Sequence, residues 1–149
     1  MADTPAYAAD PGPPPEVMRF FRNKGVRDSF SFEDVEPEEH AVAFAVAKAT
    51  KADVLVDIRD AVEAAIAEGK TLDQFRNDLT PTLQAKGWWG KTLMEDPLTG
   101  EDRLVQLGSP RRLRTIYNAN LRSARAAGQW ERIQRTKKLL PFLEYRLGP

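Results

Sequence analysis

Five arginines at helical spacing, Arg111, Arg114, Arg122, Arg125 and Arg132, are the residues of this chain best suited to chemistry. At 3.6 residues per turn they fall together on one side of a helix. Guanidinium groups one or two turns apart on one face can engage successive phosphates or a carboxylate-rich partner through charge-assisted hydrogen bonds. The chemistry of such a row is anion binding. The same arginines could instead satisfy acidic helices of their own molecule, and the residues alone leave both readings open. The row lacks the interleaved aromatics of a single-strand platform and carries no helix-turn-helix signature, so base-specific reading of DNA is not expected.

Trp88 and Trp89, set between Gly87 and Gly90, form an aromatic knob that suits either a core plug or a protein-interface anchor. Two exposed rings would make it a docking site. Tyr117, Asn118 and Asn120 are polar, but Asn120 lies within an apolar stripe and reads as a buried structural asparagine bonded to backbone. His40 is the only histidine, so one chain cannot build a histidine-rich metal site or a Ser-His-Asp triad. Glu38 with Glu39, and Asp57 with Asp60, read as solvated carboxylates. Neither a Walker-type loop nor Gly-x-Gly-x-x-Gly occurs. The absence of cysteine removes disulfides, thiolate metal ligands and thiol nucleophiles. The expectation is a non-enzyme with no catalytic residues, metal or cofactor.

The elements that must position these groups follow from periodicity and punctuation. Ser109 and Pro110 are an N-cap and first-turn pair for a helix reaching about Lys138. Its buried side would be Leu113, Ile116, Tyr117, Asn120, Leu121, Ala124, Ala127 and Gly128, with Gly128 admitting a close neighbour or bending the helix. Upstream, Pro15 opens a short amphipathic helix through Val17, Met18, Phe20 and Phe21, which Gly25 would end in a left-handed cap. Ser29 to Phe32 reads as brief alternation or a turn. Pro37 starts a helix carrying Ala41, Phe44, Ala45 and Lys48. Thr50 with Asp53 resembles a capping box for a helix whose stripe is Val54, Leu55, Ile58, Val62, Ala65 and Ile66, ending before Gly69. Thr71 with Gln74 repeats that logic for Leu72, Phe75, Leu79 and Leu83, with Pro81 kinking it or starting a new turn and Gly87 ending it. The turn signal Asp96 to Gly100 suggests a hairpin or ordered loop within Trp88 to Leu107.

The fold class expected is therefore mainly α: a helical bundle with a long basic helix and a small β-hairpin or extended C-terminal tail. Its parts would be a flexible Pro-rich arm over 1–14, an acidic helical bundle over 15–87, a Trp-containing hairpin or loop over 88–109, and the basic helix plus tail over 110–149. The tail from Leu139 to Leu147 is patterned as an extended strand, whose edge would pair with another chain, with the hairpin, or with nothing.

Charge is distributed unevenly although the net is zero. Residues 110–138 hold nine Lys or Arg against Glu131 alone, whereas residues 28–68 hold eleven Asp or Glu against Lys48, Lys51 and Arg59. Two such surfaces favour an internal contact or assembly with charged partners; solvated helix faces are the plainer alternative. No run of about 18 apolar residues and no signal-peptide pattern is present, so the expectation is a soluble protein of the cytoplasm or of a particle assembled there.

The chain also resembles a known family. Arg114-Thr115-x-Tyr117-Asn118-x-Asn120-Leu121-Arg122-x-Ala124, followed by Gly128, Pro141 and Tyr145, is similar to the central helix of the phage Mu protein F-like family of minor head and head-morphogenesis proteins. Phe44 to Ala49, Asp57-Ile58-Arg59, Gly69 and Lys86-Gly87-Trp88-Trp89-Gly90 match its amino-terminal half in order and spacing. The resemblance runs from about Pro15 to Pro149 and implies a β-rich continuation with a Gly-Trp-x-Cys-type motif that these residues do not include. It implies a minor capsid protein inside the virion, acting in head morphogenesis near the portal vertex and in DNA packaging or delivery, and present in the host cytoplasm during assembly. The implied partners are the phage portal protein and other capsid proteins, with no membrane. Packaged double-stranded DNA is an alternative partner, self-association is open, and a delivery or adaptor module for a C-terminal effector is a further reading.

Overall fold

The computed structural model describes residues 12–26, 43–44, 51–96 and 98–144. Helix α1 (Pro15–Arg22) is followed by the two-residue strands β1 (Gly25–Val26) and β2 (Ala43–Phe44), which pair in parallel. Then come α2 (Ala52–Glu68), α3 (Leu72–Ala85), the antiparallel hairpin β3 (Lys91–Glu95) and β4 (Asp102–Gln106), and the 27-residue helix α4 (Pro110–Thr136). The protein is mainly α with one small hairpin, as its sequence indicates.

Local chemistry sets most boundaries. The Thr71 hydroxyl accepts from the Gln74 N–H at 3.3 Å and Gln74 Oε1 accepts from the Thr71 N–H at 2.8 Å, a complete capping box for α3. Ser109 caps α4 by accepting from the Arg112 N–H at 3.2 Å, with Pro110 at the first helical position. Gly69 ends α2 at φ 65°, in the left-handed region where a Cβ is costly. At the hairpin tip, Asp96 accepts from the Leu98 N–H at 3.0 Å and its carbonyl from the Gly100 N–H at 2.7 Å.

Several sequence expectations are corrected. Gly25 does not cap α1: the helix closes at Asn23, with right-handed backbone and an N–H donated to Arg19 at 3.1 Å, and Gly25 opens β1. Ala43 and Phe44 lie in a strand instead of a helix. The surrounding Ala-Val-Ala-Phe-Ala-Val-Ala also alternates with period two, and short apolar runs do not separate the two states. The remainder of the helix expected from Pro37 to Lys48, with Ser29 to Phe32, His40, the pair Glu38 and Glu39 and residue Thr50, lies outside the described residues. Helix α2 is capped by Lys51 without a side-chain bond, and Asp53 pairs with Lys86 at 3.2 Å. Helix α3 runs unbroken through the exposed Pro81, whose missing N–H frees one carbonyl on the solvent side. After Thr136 the chain turns, and residues 140–144 are irregular instead of a strand. Pro13 and Pro14, placed in the expected arm, are half-buried; residues 1–11 and 145–149 lie outside the described residues.

One core joins every element that follows the strands to α1. It holds Val17, Met18 and Phe21 of α1, the expected stripe of α2, Phe75, Leu79 and Leu83 of α3, Trp88, Val105, Leu107, and Leu113, Ile116, Leu121 and Ala124 of α4. Val54, Leu55, Ile58 and Val62 are completely buried, each contributing about 1.5–3 kcal/mol of transfer free energy. α4 packs tightly on α1 at Gly128, where a Cβ would stand 2.5 Å from Val17 Cγ2 and 3.2 Å from its backbone nitrogen. Beside this contact the buried Glu16 receives Arg135 at 2.7 Å, and Arg19 pairs with Glu131.

Two outcomes follow from the α1–α4 contact. Gly128→Ala should lower stability by about 1–2 kcal/mol. The stiff Val17 must yield, which outweighs the roughly 1 kcal/mol that alanine gains inside a helix. Urea denaturation measures this, and an unchanged midpoint would mean that α1 moves aside freely. The Glu16 carboxyl lies below the ordinary glutamate range, first because it accepts from its own backbone N–H and then because Arg135 bonds it, while burial opposes both. A carboxylate depressed on folding stabilises above its unfolded value near pH 4.3, and that contribution is lost as pH falls through the folded value. The stability difference between wild type and Glu16→Gln should therefore be present at pH 6 and shrink toward pH 3.5. A constant difference would assign the effect to packing.

Candidate functional site

The arginine row is positioned by everything that fixes α4 on its other side. Leu113, Ile116, Leu121, Ala124 and Gly128 face the core. Tyr117 donates its hydroxyl to the Lys70 carbonyl at 2.6 Å and lies 5.4 Å from the Phe75 ring, and Arg76 donates to the Pro110 carbonyl at 3.0 Å. Asn120 is half-buried and donates to the Ile116 carbonyl at 2.9 Å, the structural role its place in the stripe suggests. These contacts fix the rotation of the helix, and with it the direction in which each arginine leaves.

Arg111, Arg114, Arg122, Arg125 and Arg132 are all exposed. Among the described residues, the guanidinium groups of the first four make no hydrogen bond or ion pair, whereas Arg132 acts electrostatically on Glu16. The acidic helix does not neutralise them. Asp53 and Asp57 of α2 both pair with Lys86, Glu63 pairs with Arg22 at 2.7 Å, and Glu68 pairs with Lys70 at 3.3 Å. These bonds raise the pKa of Lys86, chiefly through Asp57, and that of Lys70, chiefly through Asp78. Within the described residues the acidic and basic segments are not each other's partners. Arg125 also lines a cleft of about 440 Å³ with Pro14, Val17, Ile66, Lys70 and Tyr117.

Two basic residues outside the row have structural work. Arg112 lies 5.1 Å from the Trp88 ring and donates to the carbonyls of Gln106 and Leu107, and its burial pulls its pKa below the usual arginine value. Arg135 is the partner of Glu16. The wheel does carry a signal for Arg135, seven residues beyond Gly128 on the same line. It carries none for Arg112, whose partners come from the hairpin.

The tryptophan knob is placed differently from a docking anchor. Trp88 is 4 % exposed and plugs the core, and Trp89 is half-buried against it. Their mount is fixed: Leu107 N–H donates to the Gly90 carbonyl at 2.7 Å and Gly90 N–H to that of Gly108 at 2.9 Å, with Trp89 so close to Gly108 that a Cβ there would clash. Exposed large apolar side chains lie instead on the hairpin and on the segment after α4, where Leu139, Leu140, Phe142 and Leu143 are all exposed. Leu93 and Leu104 face each other across the strands at 64 % and 65 % exposure, and Leu98 at the tip is 88 % exposed. Thr92 opposite Val105, and Met94 opposite Arg103, occupy the other face, on which Val105 is buried. Alternation puts leucines on both faces' sequence positions, so only the packing of Val105 and Leu107 reveals which face turns inward.

No family model matches the chain, and no solved structure matches it. Among the described residues no helix is long and apolar enough to cross a membrane. The chain is 45 % identical over 140 residues, 94 % of its length, to a protein of Escherichia phage Mu named for capsid assembly, protein F. It is 45 % identical over 106 residues to the Mu-like prophage FluMu F protein of Haemophilus influenzae strain Rd. It spans 31 % of the first of these relatives and 24 % of the second. The similarity covers the capped helices, the hairpin and the arginine row together, and the chain belongs to the phage Mu F-like family.

Proposed function

We propose that this chain is a head-assembly module of a tailed phage, working by docking on other capsid proteins and not by catalysis. The observation that carries the reading is its 45 % identity, over 94 % of its length, to the phage Mu protein named for capsid assembly. Its place would be the virion interior at the portal vertex, reached from the host cytoplasm while heads are built. The portal protein is the partner that the family resemblance implies. The hairpin supports docking physically: Leu93 and Leu104 form an exposed apolar pair, Leu98 is exposed at the tip, and among the described residues the outer edges of both strands are unpaired, a surface that invites a partner. Such a contact buries apolar area and so resists salt, unlike a contact made by exposed charges.

Co-elution of the chain with the portal ring of its own phage, at low and high salt, tests this. A stoichiometric complex that persists at high salt is expected, and it should be lost in Leu93→Asp/Leu104→Asp, whose substitutions fall on exposed positions and leave the core intact. No complex with portal or other capsid proteins at either salt would reject the reading.

A further inference from the structure

We propose that the side of α4 opposite α1 is a self-association surface, on which a second copy of this chain packs antiparallel, each copy seating its Trp130 against Ala119, Ser123 and Ala126 of the other. The inference stands on the helix surface and is independent of docking by the hairpin.

Ala126 and Trp130 each lie two residues from Gly128, and so about 160° around the helix from the line that meets α1. Ala119, Ala126, Ile133 and Leu140 recur every seven residues, and Ser123, Trp130 and Lys137 recur likewise four residues later. Together they give the alternating spacing of three and four by which two helices pack along one another. α4 ends at Thr136, but Leu140 still donates to the Thr136 carbonyl at 2.9 Å, which continues the helical spacing by one turn. Ala119, Ser123 and Ala126 are exposed, Ile133 is half-buried and Trp130 is 57 % exposed.

This line carries its bulk at one end and small side chains at the other, which makes it complementary to its own reverse. A parallel pair would set the two Trp130 rings against each other and leave the small residues facing a gap, losing contact at both places. An antiparallel pair, about a two-fold axis between Ser123 and Ala126, puts each ring over the small residues of the other copy and makes the contact twice. Residues 139–143 then run toward the start of the second copy's α4. The area agrees with a stable dimer. Trp130, Leu139, Leu140, Phe142 and Leu143 are 57 % to 90 % exposed, and at roughly 200 Å² for a large apolar side chain they present about 700 Å² per copy. A specific interface takes about 800 Å² from each partner, which the remaining residues of the line complete. Arg122, one turn from Ala126, stands at the edge of the line in both copies and opposes the pairing, so the association is apolar and tightens as salt screens that repulsion.

The test is sedimentation equilibrium of the purified chain, with no capsid protein present. At about 100 μM the mass should be twice the 16.7 kDa of one chain. Trp130→Ala should raise the dissociation constant by on the order of 100-fold, because each dimer loses the anchor twice. Ala126→Glu, which sets two carboxylates beside the axis, should do the same. Both positions are exposed, so the helical circular dichroism of both variants should match wild type. The chain has no cysteine, so introduced cysteines report the orientation. Ala126→Cys should crosslink to itself on mild oxidation, whereas Lys137→Cys, about 38 Å from its counterpart in an antiparallel pair, should not. A monomer at about 100 μM, a dimer that neither substitution weakens, a dimer that dissociates as salt rises, or equal crosslinking at both positions would overturn the proposal. So would a monomeric chain whose co-elution with capsid proteins is lost in Trp130→Ala, which would give the line to a capsid partner. The sedimentation contains no capsid protein and the co-elution is scored on the hairpin variant, so failure of one reading leaves the other standing.

Discussion

The close approach of α1 and α4 at Gly128 is the contact on which the arrangement depends. An isolated helix of 27 residues with six arginines and one glutamate in its run from Pro110 to Arg132 has little of its own to hold it, because most helical stability in proteins comes from packing one face. Here that face is narrow and made of small residues where α1 crosses: Ala124 and Gly128 bring the backbones together, and Val17 fills the space that a Cβ would take. Since a helix is rigid and each residue turns by 100°, fixing the buried line fixes every other direction around the cylinder. Arg135 is thereby carried to the buried Glu16, and Arg111, Arg114, Arg122 and Arg125 are carried into solvent.

Charge pairing among the described residues is short-ranged, which explains why the described acids of α2 and the arginines of α4 stand without neutralising one another. Each described acid of α2 that pairs does so with a cation next to it, on α1 or at the ends of α2 and α3. Glu131, the sole acid of the basic segment, turns to Arg19. Like charges three residues apart on a helix cost a few tenths of a kcal/mol, and in water at ordinary salt their mutual repulsion is largely screened. The fold therefore tolerates the surplus cheaply, but it gains nothing from it, and the surplus is left as surface.

What was legible in the sequence was local. Thr71 with Gln74, Ser109 with Pro110, Gly69, and the turn from Asp96 to Gly100 each act through bonds within a few residues, and each appears where its spacing placed it. The stripe of α2 was legible for the same reason, since all six of its residues are buried. What depended on distant partners was not legible. Gly25 could cap a helix but is drawn into pairing with Ala43, and the pairing of Asp53 with Lys86, 33 residues on, has no local signal. For the site, the row of arginines was visible as a row, but not which of the nearby cations would be withdrawn from it. Trp88 shows the limit most plainly, because a Gly-flanked aromatic pair looks alike in sequence whether its rings are outside or inside.

The burial of Trp88 does more than remove a docking anchor. Its ring lies beside Arg112, the third residue of α4, and the same guanidinium bonds the carbonyls of Gln106 and Leu107 at the end of β4. Gly90 and Gly108 close the base of the hairpin through backbone bonds on the other side. The hairpin is thus joined to the first turn of α4 by stacking, side-chain and main-chain contacts at once, leaving little freedom for one to rotate against the other. Its leucine face and the arginine face are then two fixed directions of one rigid body. A partner seated on the hairpin would hold the arginine row at a set orientation to itself, so coupling between the surfaces requires no conformational change, only that Arg112 and Trp88 keep their places.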